Sequence, residues 1–458
     1  MTRIRRALAA SVLTLALPAT AGAQTPAETG PIPPARDARI YAIADAVSEE
    51  RIEAYITRLA GFGTRNTFSD TLSDTRGIGA ARRWIKAEFD AISAACGGCL
   101  EVFYQRDLVT AEDSPRIPQD TWVVNVVAVL RGTEYPDRYV IMSGDIDSRA
   151  SNGSDGVTDA PGANDNASGM AGTIEAARVL SQYRFPKSVV FVGLSGEEQG
   201  LWGGQHMAEV AVNEGWQIEA VLNNDMIGNT QGIDGVEDNS TFRVFSEPVP
   251  ATDELGDHNR RRTRGGEVDG PSRQVARYVA RLTDEYLTNL NAMMIYRLDR
   301  FGRGGHHRPF NDVGFPAVRI MEAHEDYTRQ HQDIRVEDGV EYGDVLEEVE
   351  FDYAARLTAV NAITLASMAW APPPPEAGRL GGANSASAQV RWTVPENAPN
   401  LAGFKVYWRL TTEPQWTDWV YVGNVDRFTV QNINVDNYLF GVAAVAPNGN
   451  ESPVVFVN

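Results

Sequence analysis

Cysteine is almost missing from this chain of 458 residues, with only Cys96 and Cys99 present, in Cys-Gly-Gly-Cys. No thioredoxin-like context surrounds the pair, so a local disulfide closing a helix end is expected rather than a redox centre. Long apolar runs are also missing. The longest, Ala7 to Leu17, is too short to cross a bilayer, which leaves the sequence without a membrane-spanning segment. Positive charge is in deficit, with 41 Lys and Arg against 61 Asp and Glu and a formal net charge of −20. That balance argues against nucleic acid and anionic membrane surfaces as partners. No Gly-x-Ser-x-Gly element occurs, which argues against a serine hydrolase.

The first 23 residues read as an export leader. Arg3, Arg5 and Arg6 form a basic start, Ala7 to Leu17 an apolar core, and Ala21-Gly22-Ala23 a small-residue cleavage site. Their removal makes the balance −23 and predicts a secreted or periplasmic protein. Residues 24–40 form a Pro-rich polar linker without a core.

Residues 41–370 alternate apolar runs with helical periodicity. Strands are expected at 101–108, 122–130, 139–144, 188–194, 219–224, 293–298 and 315–321. Helices are expected at 48–60, 77–94, 166–182, 201–213, 271–290 and 343–369, with 247–273 as an insertion loop. Runs such as Val123 to Leu130 are apolar on both faces, as strands covered by helices on both sides should be. The fold class is α/β, a mainly parallel (mixed) sheet sandwiched by helices. Pro372 to Pro375 make a stiff spacer over 371–375. Residues 376–458 then change to short alternating strands with Gly, Asn and Pro turns, a small all-β sandwich. Trp392 and the Tyr438 segment resemble a fibronectin type III module, which would bind a surface or a macromolecular substrate.

Acidic and histidine residues recur just beyond the strand ends, where open parallel sheets bind ligands. Asp145 and Asp147 follow strand 139–144. Asp165 lies in Pro-Gly-Ala-Asn-Asp-Asn-Ala-Ser-Gly before helix 166–182. Glu197 and Glu198 follow strand 188–194, Asp225 follows 219–224, and His324 and His331 follow 315–321. Adjacent carboxylates diverge from a strand end, so one of the Glu197-Glu198 pair can hold a metal while the other handles a proton. Singly, each residue also fits a bland role, Asp165 as a helix cap and His331 as a loop histidine.

Together these segments resemble the co-catalytic zinc aminopeptidase family of the bacterial leucyl-type aminopeptidases, with glutamate carboxypeptidase and the glutaminyl cyclases as relatives. The resemblance spans about residues 45–370 and rests on the Asp165 segment and on Gly-Glu-Glu-Gln-Gly-Leu. It implies an exopeptidase removing N-terminal residues from peptides through two divalent metals, zinc above all. Asp165 would bridge the metals, Glu198 and His331 would bind one of them, and Asp225 the other. Glu197 would be the general base. One position departs, because Asp145 stands where the family has a histidine ligand. Asp145 is expected to remain a ligand, giving an oxygen-rich first site suited to Mn²⁺ or Mg²⁺. Asp147, which in the family orients that imidazole, would face a like charge that Arg149 is close enough in sequence to offset. His306-His307 stands where the family commonly has Asp-His. His307 is assigned to the substrate pocket, with His306 as the alternative ligand.

Two other readings follow from the departure. If the first site is weak, Asp165, Glu198 and His331 form the single-zinc set of the glutaminyl cyclases, which catalyse acyl transfer. A degenerate domain acting as a surface-binding module is the third, against which Glu197 speaks. Since every candidate ligand lies between Asp145 and His331, the C-terminal module is expected to be dispensable, and a chain ending near Trp370 to fold alone.

Overall fold

The computed structural model describes residues 30–458; the expected leader and the start of the expected linker lie outside them. Three helices open the fold: α1 (Arg39–Asp45), α2 (Glu49–Ala60) and α3 (Gly77–Ala95). The Ser48 hydroxyl accepts the Arg51 N–H and caps α2, whose first turn carries Glu49 and Glu50. Beyond α3, Gly97 and Gly98 take positive φ and the Cys96–Cys99 disulfide closes the helix end, as expected.

The sheet contains β1 (Leu100–Val109), β2 (Thr121–Leu130), β3 (Tyr135–Asp145), β4 (Lys187–Leu194), β5 (Gln217–Asn224), β6 (Thr241–Ser246), β7 (Asn291–Ile295) and β8 (Ala317–Glu322). Its order is β1-β2-β4-β3-β5-β8-β6-β7. The central β4, β3, β5 and β8 run parallel, whereas β1, β2 and β4 are joined antiparallel, as are β8 and β6. The connecting helices are α4 (Ala167–Leu180), α5 (Trp202–Glu214), α6 (Leu255–Arg264), α7 (Pro271–Tyr286), α8 (His307–Asp312) and α9 (Phe351–Trp370).

Alternate residues of β2 account for its two-sided apolarity. Val126, Ala128 and Leu130 enter a core shared with α2, α3, α4 and α9, while Val127 and Val129 enter a second core with Met207, Ala208 and Ala211 of α5 and Phe310 of α8. The parallel register sets Asp145 beside Leu194 and Gly144 beside Asn224, so three strands end side by side. Close packing keeps α4 against those ends. A Cβ on Gly169 would lie 2.1 Å from the Asn224 carbonyl oxygen, so only glycine lets the first turn of α4 approach β5 so closely.

Three expectations change. Strand β6 was not anticipated, since Arg243 and its Asp- and Asn-rich approach obscure a short alternation. The insertion at 247–273 contains α6. Helix α9 begins at Phe351, because a hairpin of β9 (Arg335–Glu337) and β10 (Val340–Tyr342) uses the preceding residues.

The C-terminal module forms one nearly closed seven-stranded sheet. Its strands are β11 (Glu376–Gly381), β12 (Ala388–Thr393), β13 (Gly403–Leu410), β14 (Asp418–Gly423), β15 (Arg427–Val430), β16 (Tyr438–Val445) and β17 (Val455–Val457), in the order β14-β13-β16-β17-β11-β12-β15. It is seated firmly on α7. Asp269 accepts from Arg277 at 2.6 Å and from Arg409 of β13 at 2.8 and 2.9 Å, all three buried. The Tyr278 hydroxyl donates to the Glu451 carbonyl. Within the described residues, both linkers are held to the domains. The buried Lys187 ammonium binds the Pro372 carbonyl at 3.1 Å, and Asn450 donates to Asp37 at 2.8 Å, fastening the N-terminal segment to the β module. Among the described residues no helix is long and apolar enough to cross a membrane.

Candidate metal centre

Asp165, Glu198 and His331 converge beyond the ends of β3, β4 and β5. Their ligand atoms lie within 4.8 Å of one another, and His331 Nε2 is 3.0 Å from both Asp165 Oδ2 and Glu198 Oε1. Burial opposes protonation of His331, yet the charge of Glu198 and its contacts with Asp165 raise it to about 10. A divalent cation would meet the same negative field. One nitrogen and two carboxylates, with the cavity on the remaining side, are a donor set that fits a catalytic zinc with an open position.

Four residues support this constellation, of which the sequence singles out Asp147 and Arg149. Asp147 accepts the backbone N–H groups of Glu197 at 3.2 Å and Glu198 at 3.1 Å, so it holds the Glu197-Glu198 turn in place rather than an imidazole. Burial and the Glu198 charge push it up to about 6. Arg149 reaches Glu198 Oε2 at 3.7 Å, so its offset falls on Glu198. Asp344, not anticipated, accepts the N–H groups of Asn164 at 2.7 Å and Asp165 at 2.6 Å. Arg65, wholly buried and also missed, ties the Ile146 carbonyl to those of Pro161 and Gly162, joining the loops that carry Asp147 and Asp165. No motif marks Asp344 or Arg65; each is legible only once the loops are placed together.

Glu197 faces the cavity. Burial, then the charges of Asp225 and Glu198, raise its carboxyl well above the usual range, which suits a proton acceptor. The cavity, about 360 Å³, is also lined by Asp225, Arg116, Arg149, Arg300, Arg303 and Arg308. Arg300 and Arg303 are tied to Glu325 at 2.8 and 3.1 Å, while Arg308 Nε is buried without a hydrogen-bond partner. A larger cavity of about 450 Å³ lies at the seam between the domains, beside Gln274 and Phe456, away from these carboxylates.

The remaining assignments meet a different geometry. Asp145 does not join the ligand cluster: its Oδ1 is 2.5 Å from His306 Nδ1, and its Oδ2 accepts from Asn166 at 2.8 Å. Asp225 is held by Arg319, with 2.9 Å between Oδ2 and the guanidinium. His307, expected in the substrate pocket, is wholly buried behind it. Its Nε2 lies 2.9 Å from the Leu298 carbonyl, because α8 turns that side chain inward at its first residue. His324 carries no role here; its carbonyl accepts from Asn229.

An α/β sheet with a zinc-fitting carboxylate and histidine cluster at its strand ends, and a free glutamate beside it, defines a zinc-dependent peptidase. Residues 125–338 match the family described as Peptidase family M28. A "Probable zinc metalloprotease" of Leptosphaeria maculans is 40% identical over 93% of this chain and 98% of its own length. One from Pyrenophora teres f. teres is 41% identical over 94% of this chain and 88% of its own. The chain belongs to peptidase family M28, among its zinc metalloproteases. The fold is also similar to that of the LapA aminopeptidase of Legionella pneumophila, with a TM-score of 0.52, 19% identity, and coverage of 72% of this chain and 75% of that one. LapB of the same organism gives 0.53, 18% identity, and coverage of 74% and 76%.

Proposed function

We propose that this protein is an exported aminopeptidase acting on short peptides, with Asp165, Glu198 and His331 holding zinc and Glu197 as the general base. The observation that carries this reading is the Glu197-Glu198 turn. Asp147 fixes both backbone N–H groups, Glu198 is directed to His331, and Glu197 is left facing the cavity. A bound zinc would polarise the scissile carbonyl and acidify water. Glu197 would take the proton from that water and deliver it to the leaving amine. The acidic residues lining the cavity suit a substrate ammonium, and the arginines of its wall suit a carboxylate a short distance away. The basic, apolar and small-residue start of the sequence supports export, and the Cys96–Cys99 disulfide is compatible with an oxidising compartment.

The convergence of three ligands alone supports a second reading, single-metal acyl transfer on N-terminal glutaminyl peptides. Zinc-loaded protein should be offered dipeptides, the same dipeptides N-acetylated, and glutaminyl peptides. Cleavage of the free dipeptides only is expected, lost on chelation. Glu197→Gln should keep its zinc while turnover falls about 10²–10⁴-fold, whereas Glu198→Gln should lose zinc as well. Cyclisation of glutaminyl peptides without hydrolysis would favour the second reading.

A further inference from the structure

We propose that this chain holds a single catalytic metal, and that the buried Arg319 guanidinium takes up the carboxylate, Asp225, that a second cation would need. The inference rests on the zinc reading above. Arg319, on β8, is wholly buried. Its Nη2 lies 2.9 Å from Asp225 Oδ2, its Nε donates to the Asp225 carbonyl at 2.5 Å, and its Nη1 reaches Asp299 at 3.1 Å and the Gly304 carbonyl at 2.6 Å. The hydrogen bonds from Nε and Nη1 fix the plane, Nη2 faces Asp225 by charge alone, and the group does not lose its charge in proteins. A metal ligated by Asp225 would have to displace this buried cation.

Asp145 supplies independent support. Both its oxygens are engaged, one by His306 and one by Asn166, and Asn166 is itself held by the Asn224 carbonyl at 2.7 Å. His306 is wholly buried against Gly204 with Nδ1 engaged by Asp145, and its Nε2 has no hydrogen-bond partner. Both oxygens of Asp145 and one oxygen of Asp225 are thus taken up by protein groups, a set that does not fit a second ion. Arg319 does not reach the cavity surface. It is a positioning residue, holding Asp225 in the cavity wall beside Glu197.

The test is metal stoichiometry by elemental analysis on the full chain, loaded with excess zinc and dialysed. One zinc per chain is expected for the wild type, for Asp145→Asn and for Asp225→Asn, and none for His331→Ala. Arg319→Lys should remain at one, whereas Arg319→Met combined with Asp145→His, which frees Asp225 and supplies a nitrogen donor, should gain a second equivalent. If that double variant does not fold, a cobalt absorbance titration of wild type decides: saturation at one equivalent supports the inference. Two tightly held ions in wild type would overturn it alone. A wild-type count of zero would overturn the zinc assignment and this inference with it.

Discussion

Asp344 spends both carboxylate oxygens on two successive backbone N–H groups, those of Asn164 and Asp165. It thereby sets the direction of a residue that it never touches through the side chain. Asp344→Ala should therefore weaken zinc binding although every ligand remains, as loss of an orienting partner does, by about 10- to 100-fold. A competition titration with a chromophoric chelator measures it; an unchanged affinity would mean that the loop holds itself. Glu247 lends itself to a pH test away from the centre. Burial, against a hydrogen bond from Ser272, pushes it up to about 7. The folded state then holds this proton more tightly than the unfolded chain, so its contribution falls as pH rises from the ordinary glutamate range through about 7. Glu247→Gln should gain stability over wild type at pH 8 relative to pH 5, read from urea midpoints. Equal differences at the two pH values would contradict the shift. Ligand candidates with motifs around them were legible in the sequence, as Asp165, Glu198 and His331 show. Asp344, Arg65 and Arg319 were not, because their meaning depends on which loop lies opposite.

At the level of elements, the sheet was readable because a run such as β2 is apolar at consecutive positions and too short for a buried helix. Strand β6 escaped because it is six residues long with an arginine in its middle. The placement of α4 has a cause that the sequence shows only as a glycine in Asn-Ala-Ser-Gly. Gly169→Ala would set a methyl group against backbone rather than against a flexible side chain. We expect a loss at or above the upper end of the usual overpacking cost, about 1–3 kcal/mol. Zinc affinity should fall as well, since Asn166 and Asp165 sit on the same turn. Thermal melts with and without zinc report both effects. A melting curve like that of wild type would show that α4 can shift without harm.

For the whole molecule, the buried contacts between the two domains argue against their expected independence. Removing residues 371–458 would strip Arg409 from Asp269, the Glu451 carbonyl from Tyr278 and the Pro372 carbonyl from Lys187, all of them buried partners. A chain ending at Trp370 should be insoluble or show no cooperative melt by circular dichroism; a soluble, cooperatively melting fragment would restore the view that the module is an appendage. The sequence could not disclose this, because a proline run and a change of composition look alike whether the spacer is solvated or packed. The contact between Asp37 and Asn450 joins residues 413 positions apart. Synthesis makes Asp37 long before it makes Asn450. A nascent chain therefore lacks this clasp, together with the Glu451 hold on α7, until β16 and the turn after it are made. A chain broken off before Asn450 should reach the cell's quality control without either hold.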